Sequence, residues 1–280
     1  MSTPATTADP GAPGPGAPGS GVPGSGVPGS GVPASGAAVR RVLAQTRFET
    51  AAILRNGEQL LLTFVLPVIA LVVLVRTDVV PLPGDERTAP ALAGVLALAV
   101  ASTFTSQAIA VAFDRRWGVL RMLATTPLGR GGLLAGRLGA VLCVVVVQTA
   151  VLAAVAALLG WRAQGLTVGS FLGAAALMLL GTAAFVALAM IVGGTLRPEA
   201  VLAVANLLWV LMAAGGGLLI PVDSLPGPLA AVVRLLPSGA LGEGLRSLAA
   251  ARTFDVGAAV VLALWAPVAA WVATRTFRWE

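Results

Sequence analysis

Six long apolar stretches, at roughly 60–80, 89–113, 138–159, 168–192, 200–220 and 256–274, alternate along the chain with short segments rich in arginine, glycine and proline. Each stretch is close to the ~20 residues a helix needs to cross ~30 Å of hydrocarbon. The pattern predicts an all-α integral membrane protein with six transmembrane helices. The first stretch is the least clean, because Arg76 and Asp78 sit near its end. Pro67 in the first and Pro267 in the last are kinks that membrane helices tolerate.

Three other segments have their own patterns. Residues 38–57 read AVRRVLAQTRFETAAILRNG. Val39, Val42, Leu43, Ile53 and Leu54 recur at helical spacing, Thr46 and Thr50 fill the same stripe, and Arg40, Arg41, Arg47 and Arg55 fall on another side. The amphipathic pattern predicts an N-terminal helix lying in the membrane interface, arginines toward water and lipid phosphates; a cytosolic helix packed on protein is the other reading. Residues 1–37 form a Pro/Gly/Ser/Ala tract with three tandem GSGVP units from Gly19 to Pro33. Such a tract has little to bury and is predicted to be a disordered tail, without the basic and apolar regions of a signal peptide. Residues 221–255 balance Asp223, Glu243 and Asp255 against Arg234, Arg246 and Arg252. They predict short helices at 229–236 and 240–250, broken at Pro237, Ser238 and Gly239. The segment reads as a helical hairpin before the last span, with Pro237, Glu243 and Arg246 as its marked residues, or as a plain surface loop.

Composition sharpens this picture. The chain is 57% hydrophobic and 11% charged, with a mean hydropathy of +0.92, more apolar than a soluble domain can hide. Every one of its eighteen basic residues is arginine, and abundant Ala, Gly, Val and Pro fit a GC-rich bacterial source. With the N-terminus placed in the cytoplasm, twelve arginines fall inside and six outside, so both termini are expected to be cytoplasmic. Five of the twelve lie in one loop, DRRWGVLRMLATTPLGRGGLLAGR, from Asp114 to Arg137. Because the arginines sit at the ends of apolar blocks, the high isoelectric point is a matter of topology, and no nucleic-acid partner is expected. The single cysteine, Cys143, excludes an intramolecular disulfide and points to no metal.

Absent residues narrow the chemistry further. A P-loop needs a lysine, and this chain has none. No cofactor, metal or catalytic residue is expected in the chain itself. The spans carry no Asp, Glu, Lys or His near their centres, which disfavours an ion-coupled carrier. Energy for transport would come from another subunit. Mild polar residues remain: Ser102, Thr103, Thr105, Ser106 and Gln107 in the second block, Gln148 and Thr149 in the third, and Asn206 in the fifth. Of these, Ser102, Thr105, Gln107, Gln148 and Asn206 are candidates for a substrate path, or for hydrogen bonds between helices.

In the arginine-rich loop, Trp117, Leu120, Met122 and Leu123 give residues 115–126 more apolar surface than a topological loop needs. The pattern predicts a short cytoplasmic helix, stopped by Pro127, that seats on a partner; residence of the same residues in the inner lipid interface is the alternative. Arg115, Arg116 and Arg121 are expected to meet acidic groups of the partner, and Arg130 and Arg137 to meet lipid phosphates.

Four segments resemble the six-span permease subunits of type-2 ABC exporters, including the daunorubicin-resistance-type permeases. They are RNGEQLLLTFVLPVIALVVL, RRWGVLRMLATTPLGRGGLLAGR, GGTLRPEAVLAVANLL and GGGLLIPVDSLPGPLAAVVRLLPSGALGEGLR. The resemblance covers about 38–280 and rests on the order of these segments, since no one of them is specific. It implies a transmembrane transport domain that pairs with a second permease, a copy or a paralogue, and with two ATPase subunits that hold the ATP and Mg. It implies coupling through the loop between spans two and three, at Arg115, Arg116, Trp117, Gly118, Leu120, Arg121, Leu123, Thr126 and Pro127. It also implies export of a hydrophobic or amphipathic compound across the cytoplasmic membrane, such as a drug-like molecule, a lipid or a glycan. A non-transporting scaffold, or a secondary carrier of a neutral solute, are the competing classes.

Overall fold

A computed structural model describes residues 34–80, 82, 86–125, 129–162 and 167–276; the repeat tail falls outside them. Among the described residues ten α-helices follow one another: α1 (Ala34–Arg55), α2 (Gly57–Arg76), α3 (Thr88–Arg116), α4 (Val119–Ala124), α5 (Gly129–Leu158), α6 (Val168–Thr195), α7 (Pro198–Gly215), α8 (Gly227–Leu235), α9 (Pro237–Arg246) and α10 (Val256–Thr276). Among the described residues there is no strand.

Among the described residues five helices are long and apolar enough to cross a membrane: α3, α5 from Gly131 onward, α6, α7 and α10. The first of the six expected blocks became α2, a helix of 20 residues that carries the apolar stretch Thr63–Arg76. Glu58 and Gln59 stand in its first turn and Arg76 in its last. Pro67 and Pro267 both lie inside continuous helices.

Helix α3 is the axis of the bundle. Nearly every residue from Thr88 to Ala101 is buried, and α2, α5, α6, α7 and α9 all pack on it. A stretch that is apolar on every side, as α3 is from Ala89 to Ala101, belongs in the middle of its neighbours. Its alanines let those neighbours come close, and α6 comes closest. There Gly193 lies against the Ala108 carbonyl oxygen, and a Cβ added to it would stand 2.9 Å from Val111 Cβ. Small residues at helix crossings replace the hydrophobic drive that lipid cannot supply. Phe104 of α3, Phe185 of α6, Leu241 of α9 and Leu262 of α10 fill the core around this contact.

Helix α1 packs along α5. A Cβ at Gly136 or Gly139 would meet Gln45 Cγ at 2.5 Å or Thr46 Oγ1 at 2.7 Å, so α1 nests in a glycine groove. The face it buries is Gln45, Thr46, Glu49 and Ile53, not the whole apolar stripe of the sequence. Val39, Leu43 and Leu54 are exposed, and so is Phe48. The helix also starts at Ala34, inside the expected tail.

The segment before α10 is helical, with its break one residue earlier than expected. Leu236 is extended (φ −83°, ψ 149°) and Pro237 opens α9 as its first residue. Proline disfavours α-helix in the residue before it and suits the first helical position, where an N–H has no partner anyway. Helix α9 then runs into a single π turn at Ser247–Ala251.

The α3–α6 contact yields a direct expectation. Gly193→Val should lower the thermal stability of the purified protein by about 1–3 kcal/mol, the usual cost of overpacking. Gly131→Ala, where a Cβ meets nothing within 4 Å, should not lower it; detergent-solubilised thermal unfolding reads both.

Candidate functional site

A half-open cavity of about 410 Å³ lies among α2, α3, α5 and α7. Apolar side chains such as Leu66, Pro67, Leu98 and Val144 make most of its wall, and α3 lays a polar stripe along it from Ser102 to Gln107. Ser102, Thr105, Gln107, Gln148 and Asn206, singled out from the sequence as polar residues inside three different apolar blocks, all line this one space. None of the described residues lining it is ionisable.

Several of these side chains also join helices. Ser102 Oγ accepts from Trp209 Nε1 at 2.9 Å and Thr105 Oγ1 donates to the Ala205 carbonyl at 3.3 Å, which ties α3 to α7. Gln148 Nε2 donates to the Thr63 carbonyl at 2.5 Å, which ties α5 to α2. Asn206 is exposed half-way along α7.

At one end of the cavity sits a charge cluster. Arg137 of α5 is only 1% exposed. It pairs with Asp114 of α3, stands 3.5 Å from a Glu49 oxygen of α1, and donates through Nη1 to Gln107 Oε1 at 3.3 Å. Gln45 Nε2 in turn donates to Glu49 Oε1 at 2.9 Å. The expectation that Arg137 meets lipid phosphates is therefore corrected. A guanidinium this far from water is tolerable only beside carboxylates, and two helices bring one each. Sequence reasoning passed over Glu49 and Asp114 and gave Arg137 to the lipid. The available signal was an arginine a full turn inside the glycine-rich LLAGRLGAV, together with Gln45 and Glu49 one turn apart on α1. The side chain of Arg130 lies outside the described residues.

The loop expected as one helix over 115–126 is built in two pieces. Helix α3 runs on through Arg116, and Gly118, at φ +75°, turns the chain into α4. Only glycine takes that conformation cheaply. Leu120 is fully buried among Val111, Leu133, Met190 and Ala273, so it anchors α4 to the bundle and offers nothing to a partner. Leu123 packs on the same cluster. Arg115 donates to the carbonyls of Gly194 (2.7 Å) and Leu196 at the end of α6, and Arg116 pairs with Glu199 at 2.8 Å. What α4 and its lead-in leave exposed is Trp117 (70%), Arg121 and Met122 (66%). Thr126 and Pro127 lie outside the described residues.

At the opposite end of α7, Arg246 is 4% exposed and donates to the Gly217 carbonyl and, at 2.8 Å, to the Leu218 carbonyl. Glu243 pairs with Arg246 at 2.7 Å and accepts from the Val222 amide at 2.8 Å. Glu243 and Arg246 thus lock α9 to the loop that leaves α7, while Pro237 sets the angle at which α9 begins.

Residues 75–275 match the family model of the ABC-2 family transporter protein, a stretch that runs from the end of α2 to the end of α10. The chain belongs to this family and is a multi-pass membrane protein, a transport subunit of the ABC permease class and not a catalytic one. Permeases of the family generally work with an ATPase subunit and a second permease. No curated protein matches the chain.

Removing the cation of the charge cluster should be costly. Arg137→Met leaves Asp114 and Glu49 without it and should destabilise the protein by about 3–5 kcal/mol in thermal unfolding. Adding Asp114→Asn and Glu49→Gln should recover a large part of that loss, because the uncompensated charges go with it.

Proposed function

We propose that the chain is the permease of an ATP-driven exporter of the daunorubicin-resistance type, with efflux of a drug-like molecule, a lipid or a glycan as its task. The observation that carries this reading is the uncharged, half-open cavity between α3 and α7, greasy on most sides and polar along one stripe. Such a lining suits a hydrophobic or amphipathic passenger. Ser102, Thr105, Gln107, Gln148 and Asn206 form its path.

In this reading α2 is the first of six spans. At 1.5 Å per residue its 20 residues reach ~30 Å, and Leu61, Val65, Ile69 and Val73 are exposed along it as lipid-facing residues are. Helix α1 lies in the inner membrane interface with Val39, Leu43 and Leu54 toward lipid. The end that holds α4 is cytoplasmic, as are both termini, in the inner membrane of a GC-rich bacterium; the arginine bias supports this orientation. A second permease, a copy or a paralogue, packs against α7, where Leu207, Val210 and Leu211 stand exposed beside Asn206. An amide in mid-membrane needs a polar partner or a wet cavity, and a paired permease supplies either.

Two ATPase subunits bind the ATP and Mg and drive the cycle. The contact is made by Trp117, Arg121 and Met122, an aromatic and an arginine side by side as at many interface centres. Trp117 leans on Phe113, ring centroids 5.3 Å apart, which pre-orients it. The partner ATPase should co-purify with the permease. Trp117→Glu and Met122→Glu should each weaken that association at least roughly tenfold and stop ATP-driven transport in vesicles, with insertion at normal levels. Leu120→Glu should instead fail to accumulate, because it puts a charge in the core. Transport by vesicles that hold the permease without any ATPase would defeat the proposal.

A further inference from the structure

The donor and acceptor positions around the cavity are fixed more tightly than its mild residues imply. Thr103 Oγ1 donates its proton to the Val100 carbonyl (2.6 Å), Thr105 Oγ1 to that of Ala205 (3.3 Å) and Ser106 Oγ to that of Thr103 (3.2 Å). With their protons spent on backbone, these three hydroxyls have only lone pairs left for an occupant. Gln107 is the opposite case. Arginine donates and cannot accept, so the bond from Arg137 Nη1 turns the amide oxygen of Gln107 toward the charge cluster. The group Gln107 keeps for the cavity is its NH₂, and no described residue accepts from it.

We propose that Gln107, oriented by Arg137, is the specificity-determining donor of this cavity, and that the occupant is an uncharged amphipath carrying both an acceptor oxygen and hydroxyl-type donors. The acceptor oxygen meets Gln107, and the donors meet Thr103, Thr105 and Ser106. An anionic head finds few donors against a row of lone pairs, beside a cluster of two carboxylates, Asp114 and Glu49, and one guanidinium. An ammonium head finds acceptors but leaves the Gln107 NH₂ without a partner, and an unmet buried donor is penalised. A hydroxyl satisfies both sets. Gln107 is the specificity residue and Arg137 its positioning residue, acting through it.

The inference rests on the reading of the chain as a permease, and binding can be measured without an ATPase, so the two fail separately. Trp209, which lines the cavity, serves as reporter once the other five tryptophans are replaced by Phe. Four probes share a chain ending in bromine, which quenches tryptophan: 12-bromododecanol, methyl 12-bromododecanoate, 12-bromododecylammonium and 12-bromododecanoate. A second protein keeping only Trp271, exposed on α10, reports partition into the nanodisc lipid. Trp209 quenching should saturate while Trp271 quenching does not, with the alcohol tightest and the carboxylate weakest. Gln107→Glu keeps one oxygen for Arg137 and turns the donor into an acceptor. It should weaken the ester and strengthen the ammonium, each by roughly tenfold, about one hydrogen bond. Gln107→Met, which removes the donor without adding charge, should weaken the ester and the alcohol and leave the ammonium unchanged. Arg137→Lys, still only a donor, should keep the selectivity, and Arg137→Met should bring the ester and ammonium affinities together. Equal saturation at Trp209 and Trp271, or an unchanged probe order in both Gln107 variants, would overturn the proposal.

Discussion

A helix that ends in or near lipid leaves carbonyl oxygens with no donor, and water is scarce there to supply one. In this protein arginine side chains from neighbouring segments do it. Arg87 donates to the carbonyls of Leu74, Thr77 and Val80 where α2 ends, Arg115 to those of Gly194 and Leu196 where α6 ends, and Arg246 to those of Gly217 and Leu218 just after α7. A cation at a helix C-terminus is also favoured by the dipole. Each contact stitches one segment to the end of another, so the bundle closes at both of its ends through the same device. The carboxylates Asp78 and Glu243 hold two of these guanidiniums in place.

Between those closures the bundle depends on α3. Its neighbours pack on it through small residues, which leaves no room for a polar side chain except where a helix stands off. The stand-off is at the cavity, and there α3 turns Ser102 to Gln107 outward. Gln107 belongs to two places at once: it lines the cavity and accepts from Arg137. Arg137 reaches Glu49 on α1 and Asp114 near the end of α3, a short distance in sequence from Gly118 and α4. The polar lining and the α4 segment therefore share one chain of contacts, made of side chains that each hold more than one bond.

Much of the fold was legible because lipid imposes a length on helices and arginine marks their ends. The apolar blocks gave α3, α5, α6, α7 and α10 nearly in place, and the polar residues inside them led to the cavity lining. The rule that reads arginines as topology markers hides their other uses, and so Arg137 and Arg246 were not seen as buried. Their carboxylate partners come from other helices or from the turn before, and nothing in local pattern shows that Glu49 and Asp114 will face one guanidinium. Leu120 was misjudged for a related reason: an apolar residue in a short basic loop looks available until Gly118 bends the loop back on the core.

The charge cluster also has a bearing on how the chain is made. Synthesis delivers Glu49 first, Asp114 more than sixty residues later, and the arginine that neutralises both only with the start of α5. Until then two carboxylates wait, and both sit near the α4 end of the bundle, neither fully shut away from water. Glycines at 136 and 139 then admit α1 against α5 as Arg137 arrives. The last of the three charges to be translated is the one that completes the seat of the first helix, so α1 has its full set of partners only once α5, the second of the five long apolar helices, has begun to emerge.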